Sequence, residues 1–343
     1  GRTHSRMEDS IRRIARGEEK GRPTMPVTNW LDSKWLRRAF TRVKENHGCA
    51  GVDGVTIAIM EARLDETLAL LRARVDDGGY WAWPLRRIEV EKSPGSEERR
   101  RLLVPAVVDR VLQTAVAAYM EPFLEKEFEE CSFAYRRGRS VRMAVERVYA
   151  LYHQGYQWLL DADIDDFFDS VASELVLARL RPLIADERVI RLVQLWLDYT
   201  IWDGLRLVRP GLGLPQGSVV SPMLANLCLD TLDEKLLAAD LKVVRYADDF
   251  VVLTKGRKAA DRAFALTEET LKGLQLRLNE GKTRVVRFSD GFKFLGTIFL
   301  KDLLLQPWKP GRKRPRVLSS AGPLPESFFP DRERRPLRKY RGW

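Results

Sequence analysis

Cysteine is scarce in this chain: Cys49, Cys131 and Cys228 are the only three in 343 residues, far apart and without a CxxC pair. An odd, scattered set argues against a disulfide framework or a thiolate zinc site, and it fits a reducing cytoplasm. Long apolar runs are also missing. No stretch approaches the ~18 residues that a membrane span needs. The polar, basic start lacks the hydrophobic segment of a signal peptide. The expected location is therefore cytoplasmic, with no membrane partner. The chain opens on Gly1 rather than methionine, which fits a tag remnant or a piece of a longer polypeptide. Acidic residues are outnumbered, 48 against 59 Lys and Arg, giving a net charge of +11 and a pI near 9.6. That excess points to a polyanionic partner, nucleic acid ahead of an anionic membrane.

What is present is enough to fold. Hydrophobic residues make up 45% of the chain, and its length allows two or three core-bearing units. Residues 1–29 read as a polar arm broken at Pro23 and Pro26. Trp30 to Lys44, 57–77, Val107 to Phe128, 140–153, 174–199, Ser221 to Leu236 and 258–277 carry helical or helix-rich patterns, with Pro122 as a break or kink in the third. Tyr80 to Val90 and Arg99 to Pro105 read as two strands of a hairpin with Lys92 and three arginines gathered on it. Such a face is either merely solvated or a grip for phosphates. The loop Ser132 to Ser140 interleaves Phe133 and Tyr135 with Arg136, Arg137 and Arg139, a pattern suited to a nucleic-acid track. Phe292 to Phe299 reads as a strand with a central Gly296, and 301–343 as an irregular, basic, proline-containing tail or linker.

Two stretches concentrate acid. Trp158-Leu-Leu is an apolar strand start that runs into four carboxylates in seven residues, Asp163, Asp165, Asp166 and Asp169. These carboxylates cannot all be buried and ionised; some face solvent, cap helices or bind cations. Asp169 falls where it would cap a helix from Val171. Further on, Lys242-Val-Val-Arg-Tyr246-Ala-Asp248-Asp249-Phe-Val-Val-Leu253 places two adjacent acids between β-forming runs, a hairpin with Asp at its tip. Alone, that tip is equally a solvated turn. A Pro/Gly loop, Pro210 to Ser218, allows close backbone approach to a ligand or serves only as a connector. Brought together on neighbouring strands, the two acid groups could hold two divalent cations for in-line phosphoryl transfer.

In order along the chain, Gly51-Val-Asp53-Gly54-Val, Lys92 to Pro105 with Asp109-Arg110 and Gln113, Ser132 to Ser140, Asp163 to Asp169, Leu214-Pro-Gln216-Gly with Ser221-Pro222, Tyr246 to Asp249, Leu278-Asn279 with Lys282-Thr283, and Phe294-Leu-Gly296 resemble the motifs of reverse transcriptases of the group II intron-like branch. The resemblance spans about 48–300. It implies an α+β right-hand polymerase fold: fingers over 30–157, and a palm over 158–300 that is an antiparallel sheet backed by helices. A full helical thumb is not evident. It implies an RNA-directed DNA polymerase that extends a DNA or RNA primer on an RNA template with dNTPs. Two Mg2+ ions, with Mn2+ as a substitute, would sit on Asp163, Asp248, Asp249 and the carbonyl of Ile164.

The same resemblance assigns Lys92, Arg100, Asp165, Asp166, Phe167, Phe168, Gln216 and Lys282 to the nucleotide. Phe168 falls at the gate position that crowds a ribose 2′-hydroxyl. Arg136, Arg137, Arg139 and Tyr246 would meet template or primer. The maturase region of intron-encoded relatives is not seen, and a CRISPR-associated enzyme working with Cas1 and Cas2 is one setting the resemblance allows. The alternative from another class is a non-catalytic nucleic-acid-binding or assembly module that kept the fold.

Overall fold

The run Phe250-Val-Val-Leu253 is apolar at every position, which suits a strand covered on both faces. The structure, a computed structural model, places it so; it describes residues 29–91, 95–301, 303–305, 317–320 and 322–323. This run lies in β7 (Asp249–Thr254), inside a four-stranded antiparallel sheet ordered β6-β7-β3-β8, with β3 Trp158–Asp163, β6 Lys242–Tyr246 and β8 Arg284–Arg287. Leu160, Ala162, Val243, Phe250 and Val252 point into the larger core, shared with helices α9 (Ser221–Ala238) and α10 (Arg257–Gly273). Leu159, Val244, Val251 and Leu253 pack the other way, against Ala144, Val145, Val148 and Leu151 of α5 (Val141–His153) and the rings of Phe288, Phe292 and Phe299.

The larger core is organised by α4 (Val107–Leu124), whose Val111, Leu112, Ala115, Val116 and Met120 are wholly buried. Helices α1 (Ser33–Glu45) and α2 (Ile57–Ala62) lie on it, and α3 (Leu64–Asp76) packs against those two. A second sheet projects from this body. In it β1 (Leu85–Glu91) pairs antiparallel with β2 (Arg99–Val104) and parallel with β4 (Ile201–Trp202), which turns back into β5 (Leu207–Val208). Three short helices, α6 (Phe167–Ser170), α7 (Ser173–Leu180) and α8 (Glu187–Leu197), link β3 to β4. The architecture is mixed α+β, with a palm-like antiparallel sheet carried on helices. Among the described residues, no helix is long and apolar enough to cross a membrane.

Five sequence expectations are refined or corrected. Residues 57–77 are two helices, because Arg63 leaves the helical region (φ −130°, ψ 37°). The first strand of the basic hairpin begins at Leu85, five residues later than its aromatic start suggests. Phe292 to Phe299 is two strands, β9 (Phe292–Phe294) and β10 (Thr297–Leu300), closed by Leu295 and Gly296 at positive φ (49° and 76°). Asp169 lies inside α6, and Ala172 takes the capping position of α7. In the segment read as an irregular tail, β11 (Leu303–Leu305) pairs with β10 and β12 (Val317–Ser320) pairs with β1. Residues 1–28, Lys92 and most of 306–343 lie outside the described residues.

Candidate active site

The tip of the β6–β7 hairpin is a two-residue turn, closed by the pairing of Tyr246 with Asp249. Two-residue hairpin loops need positive φ, which L-residues adopt with strain. Ala247 supplies it at φ 59° and is buried. Across the sheet, Asp163 at the end of β3 is the direct partner of Asp249. Like charges placed directly opposite on an antiparallel pair repel. Burial pushes Asp249 up to about 7, and the charges of Asp161, Asp163 and Asp248 add to it. Burial also raises Asp248, with Asp163 contributing.

Among the described residues, Lys282 pairs with Asp163, and Arg284 with Asp161. Asp165 N–H bonds to the Arg277 carbonyl at 2.9 Å, and Asn279 N–H to the Asp163 carbonyl at 2.8 Å, so residues 277–279 run beside the end of β3. That pairing brings the Lys282 ammonium to 2.8 Å from Asp163 Oδ2, and the carboxylate raises the lysine's own pKa. Among the described residues, no group of three acidic, His or Cys side chains converges as a ready-made cation site. The donor set nonetheless fits a hard divalent cation. It is all oxygen, and it carries repelling charge that an ion would relieve.

The opposite wall comes from the glycine loop and β2. Leu103 N–H bonds to the Gln216 carbonyl at 2.7 Å, and a side chain on Gly217 would meet the Leu103 carbonyl at 2.3 Å. Gly217 also holds φ 127°, so only glycine fits this seam. Arg100 Nε reaches Gln216 Oε1 at 3.3 Å, whereas Arg99 turns to Glu89. Leu214 N–H bonds to the Phe168 carbonyl at 2.6 Å and fixes that residue against the loop. The result is an open cleft of about 420 Å³ lined by Asp163, Ile164, Asp248, Asp249, Lys282, Gln216 and Arg100, with Asp166, Phe167, Phe168 and Tyr246 also on its walls. Asp165 is exposed beside the cleft, close to Asn279.

The arginine loop departs from expectation. Arg136 is buried, its side chain only 2% exposed. It donates to the Glu125 carboxylate and to the carbonyls of Phe128, Glu129 and Ser132, which leaves it no reach toward a phosphate. Arg139 is held by Glu130 over the Phe133 ring. Arg137 and Arg139 line another cleft, of about 760 Å³, beside Lys242. Lys242 is at the far end of β6 from the acids, ~13 Å away at ~3.3 Å per residue. From the same loop it is Tyr135 that reaches the cleft, half exposed and at φ 58°. Type and spacing could not single it out, because a strained backbone decides which side chain turns inward.

A palm-like antiparallel sheet with acids at its hairpin tip, facing a glycine loop and a basic strand pair, defines the class as palm-bearing nucleotidyl-transfer proteins. Within that class, residues 90–299 match the family model "Reverse transcriptase (RNA-dependent DNA polymerase)", and the chain belongs to that family. It is 34% identical to Protein YkfC of Escherichia coli (strain K12) over 306 residues, covering 77% of this chain and 79% of that protein. It is 27% identical over 207 residues to the group II intron-encoded protein LtrA of Lactococcus lactis subsp. cremoris, covering 60% of this chain. The chain spans only about a third of LtrA's length (34%). The fold, though not the sequence, is shared with apo telomerase from Candida tropicalis, at TM-score 0.51 and 12% identity over 64% of this chain and 57% of that one. The branch is group II intron-like, and the family works with Mg2+.

Proposed function

We infer that this chain is an RNA-directed DNA polymerase that extends a primer 3′-hydroxyl with dNTPs on an RNA template. The observation that carries the reading is the meeting in one cleft of Asp163, Asp248 and Asp249 with Lys282, Gln216, Arg100 and Phe168. Three carboxylates held against their own repulsion, opposite a basic wall, suit a triphosphate that arrives with its cations and not alone.

Each side chain has a part in that chemistry. Asp163, Asp248 and Asp249 would hold two Mg2+ ions, with Mn2+ as a substitute, and Ile164 would offer its carbonyl beside them. When bound, the ions supply neutralisation of phosphate charge and a more acidic primer hydroxyl. Arg100, steadied on Gln216, directs a guanidinium to the phosphates as a multi-donor fork. Asp166, at φ 39°, turns the chain at the head of α6 on the wall of the cleft. Lys282 is free to pass its hydrogen bond from Asp163 to substrate once that carboxylate holds a cation. The primer 3′-hydroxyl then gives up its proton to solvent as its oxygen bonds to the α-phosphorus, and the bond to the leaving pyrophosphate breaks. The half-buried Phe168 ring lines this cleft, and in this reading it crowds a ribose 2′-hydroxyl and so favours deoxynucleotides. Tyr246 and the exposed Arg137 are the remaining candidates for template or primer contact. Cellular partners, Cas1 and Cas2 among them, enter no step of this proposal.

The test is primer extension on an RNA template with dNTPs and Mg2+. Asp248→Ala or Asp163→Ala should lower the rate roughly 10³-fold or more in a protein that still melts cooperatively. Full activity in either variant sinks the reading. RNA binding without any extension by the unaltered chain would replace it with a non-catalytic binding module.

A further inference from the structure

Behind the acids lies a polar unit that no step above uses. Arg245 sits mid-strand in β6 with its side chain wholly buried, as is Asp233 of α9. Its Nε and Nη2 grip both oxygens of Asp233, at 2.6–3.0 Å. Nη2 also donates to Ser132 Oγ at 2.9 Å, and Nη1 to Asn226 Oδ1 at 2.9 Å and to the Ala247 carbonyl at 3.1 Å. Asn226 in turn donates through Nδ2 to the Ala134 carbonyl at 2.7 Å.

The two carbonyls are the informative partners. The Ala247 carbonyl belongs to the peptide that leads into Asp248. The Ala134 carbonyl belongs to the peptide that leads into Tyr135. Ala247 and Tyr135 both hold left-handed backbone, at φ 59° and 58°, and both line the cleft. Such strain persists only where the surroundings over-determine it. One guanidinium and one amide pin both strained peptides, on chain segments that run side by side at β6, to a common point.

A stability role alone does not account for this wiring. A buried ion pair is a weak source of stability, since apolar replacements of like volume are often neutral or better. What an apolar pair cannot do is orient two carbonyls. We propose that Arg245, with Asn226 and Asp233, is a positioning unit that sets the Asp248–Asp249 turn against the Tyr135 wall. It acts through backbone and touches no substrate.

The proposal rests on the polymerase reading above, and its test separates the two. Arg245→Lys keeps a positive charge for Asp233 but lacks the fork that reaches Asn226 and Ala247. The double variant Arg245→Met, Asp233→Leu removes the pair without leaving a lone charge. Both are checked for folding by circular dichroism and melting, then assayed at saturating primer and template across dNTP concentrations. Displacing the acids by ~1 Å should lower kcat ~10²-fold. KM for dNTP should stay within about threefold, because Arg100 and Gln216 are untouched. Folded variants with the unaltered kcat overturn the proposal. So does a fall in both that enters through KM. Failure of both to fold also counts against it, since that is what a purely structural pair predicts. Asp248→Ala is run beside them. If it stays active, the polymerase reading falls. If it is dead while both Arg245 variants run at full rate, only the positioning unit falls.

Discussion

The β6–β7 hairpin has two polar faces, and they are built on opposite rules. At its tip, Asp163, Asp248 and Asp249 line one cleft, with the Lys282 ammonium on Asp163. At its back, Arg245 meets Asp233 and three further acceptors, and no solvent reaches either side chain. The front is left short of positive charge, and the back is matched donor for acceptor. The difference says what each is for. A site that must take up a cation keeps its repulsion until the ion arrives. A clamp that must not move is satisfied in advance.

The comparison breaks most visibly at the back. Arg245→Met alone strands the Asp233 carboxylate in the interior and should destabilise the fold by ~3–5 kcal/mol. Denaturant melting reads this as a lower midpoint with an unchanged slope. A midpoint close to that of the unaltered chain would mean the pair is not the closed unit described here.

Much of the front was legible in the chain. The acid at the end of an apolar strand, the paired acids at a hairpin tip and the Pro/Gly loop each signal their element through residue type and spacing. Their order carried the family, and the structure brings Asp163, Asp249, Gln216, Arg100 and Lys282 into one cleft as that order implies. The back was not legible. Arg245 sits between Val244 and Tyr246 where an arginine normally faces solvent, and its partners lie 12, 19 and 113 residues away. Arg136 misled for the same reason: loop arginines next to aromatics look alike whether they reach out for phosphate or fold back onto carbonyls. Only the path of the loop decides, and Tyr135 at positive φ shows that path turning at the residue just before Arg136.

On the front, the smaller wall is the easier one to alter. Phe168 is half-buried, packed edge-on to Phe167 with ring centroids 5.4 Å apart. Phe168→Ala should open space at the sugar and raise ribonucleotide incorporation relative to deoxynucleotide by roughly 10–100-fold, the scale of one steric contact. Primer extension with each nucleotide separately gives the ratio of kcat/KM values. An unchanged ratio removes the gate role and leaves the ring as packing alone.

The smallest effect is the sharpest test of the front–back contrast, because its sign is opposite to that at the back. Without a divalent cation, folded Asp249 titrates near 7, above the ordinary 3.8. Between those values the native chain holds a proton that the unfolded chain releases, so stability must fall as pH rises through the window. The full stabilisation is present below about 4 and is lost by the time pH passes 7. Asp53, Asp109 and Asp230 are also raised by burial, to about 6, 7 and 7, and lend the same slope. Asp249→Asn removes only the tip's share. In a chelating buffer at pH 8 this variant should melt higher than the unaltered chain, by about 1 kcal/mol or ~2–4 °C, and the two should converge near pH 4. Adding Mg2+ should stabilise the unaltered chain more than the variant and narrow the gap. Equal melting temperatures at every pH would show that the tip acids are already satisfied, and the front would then follow the same rule as the back.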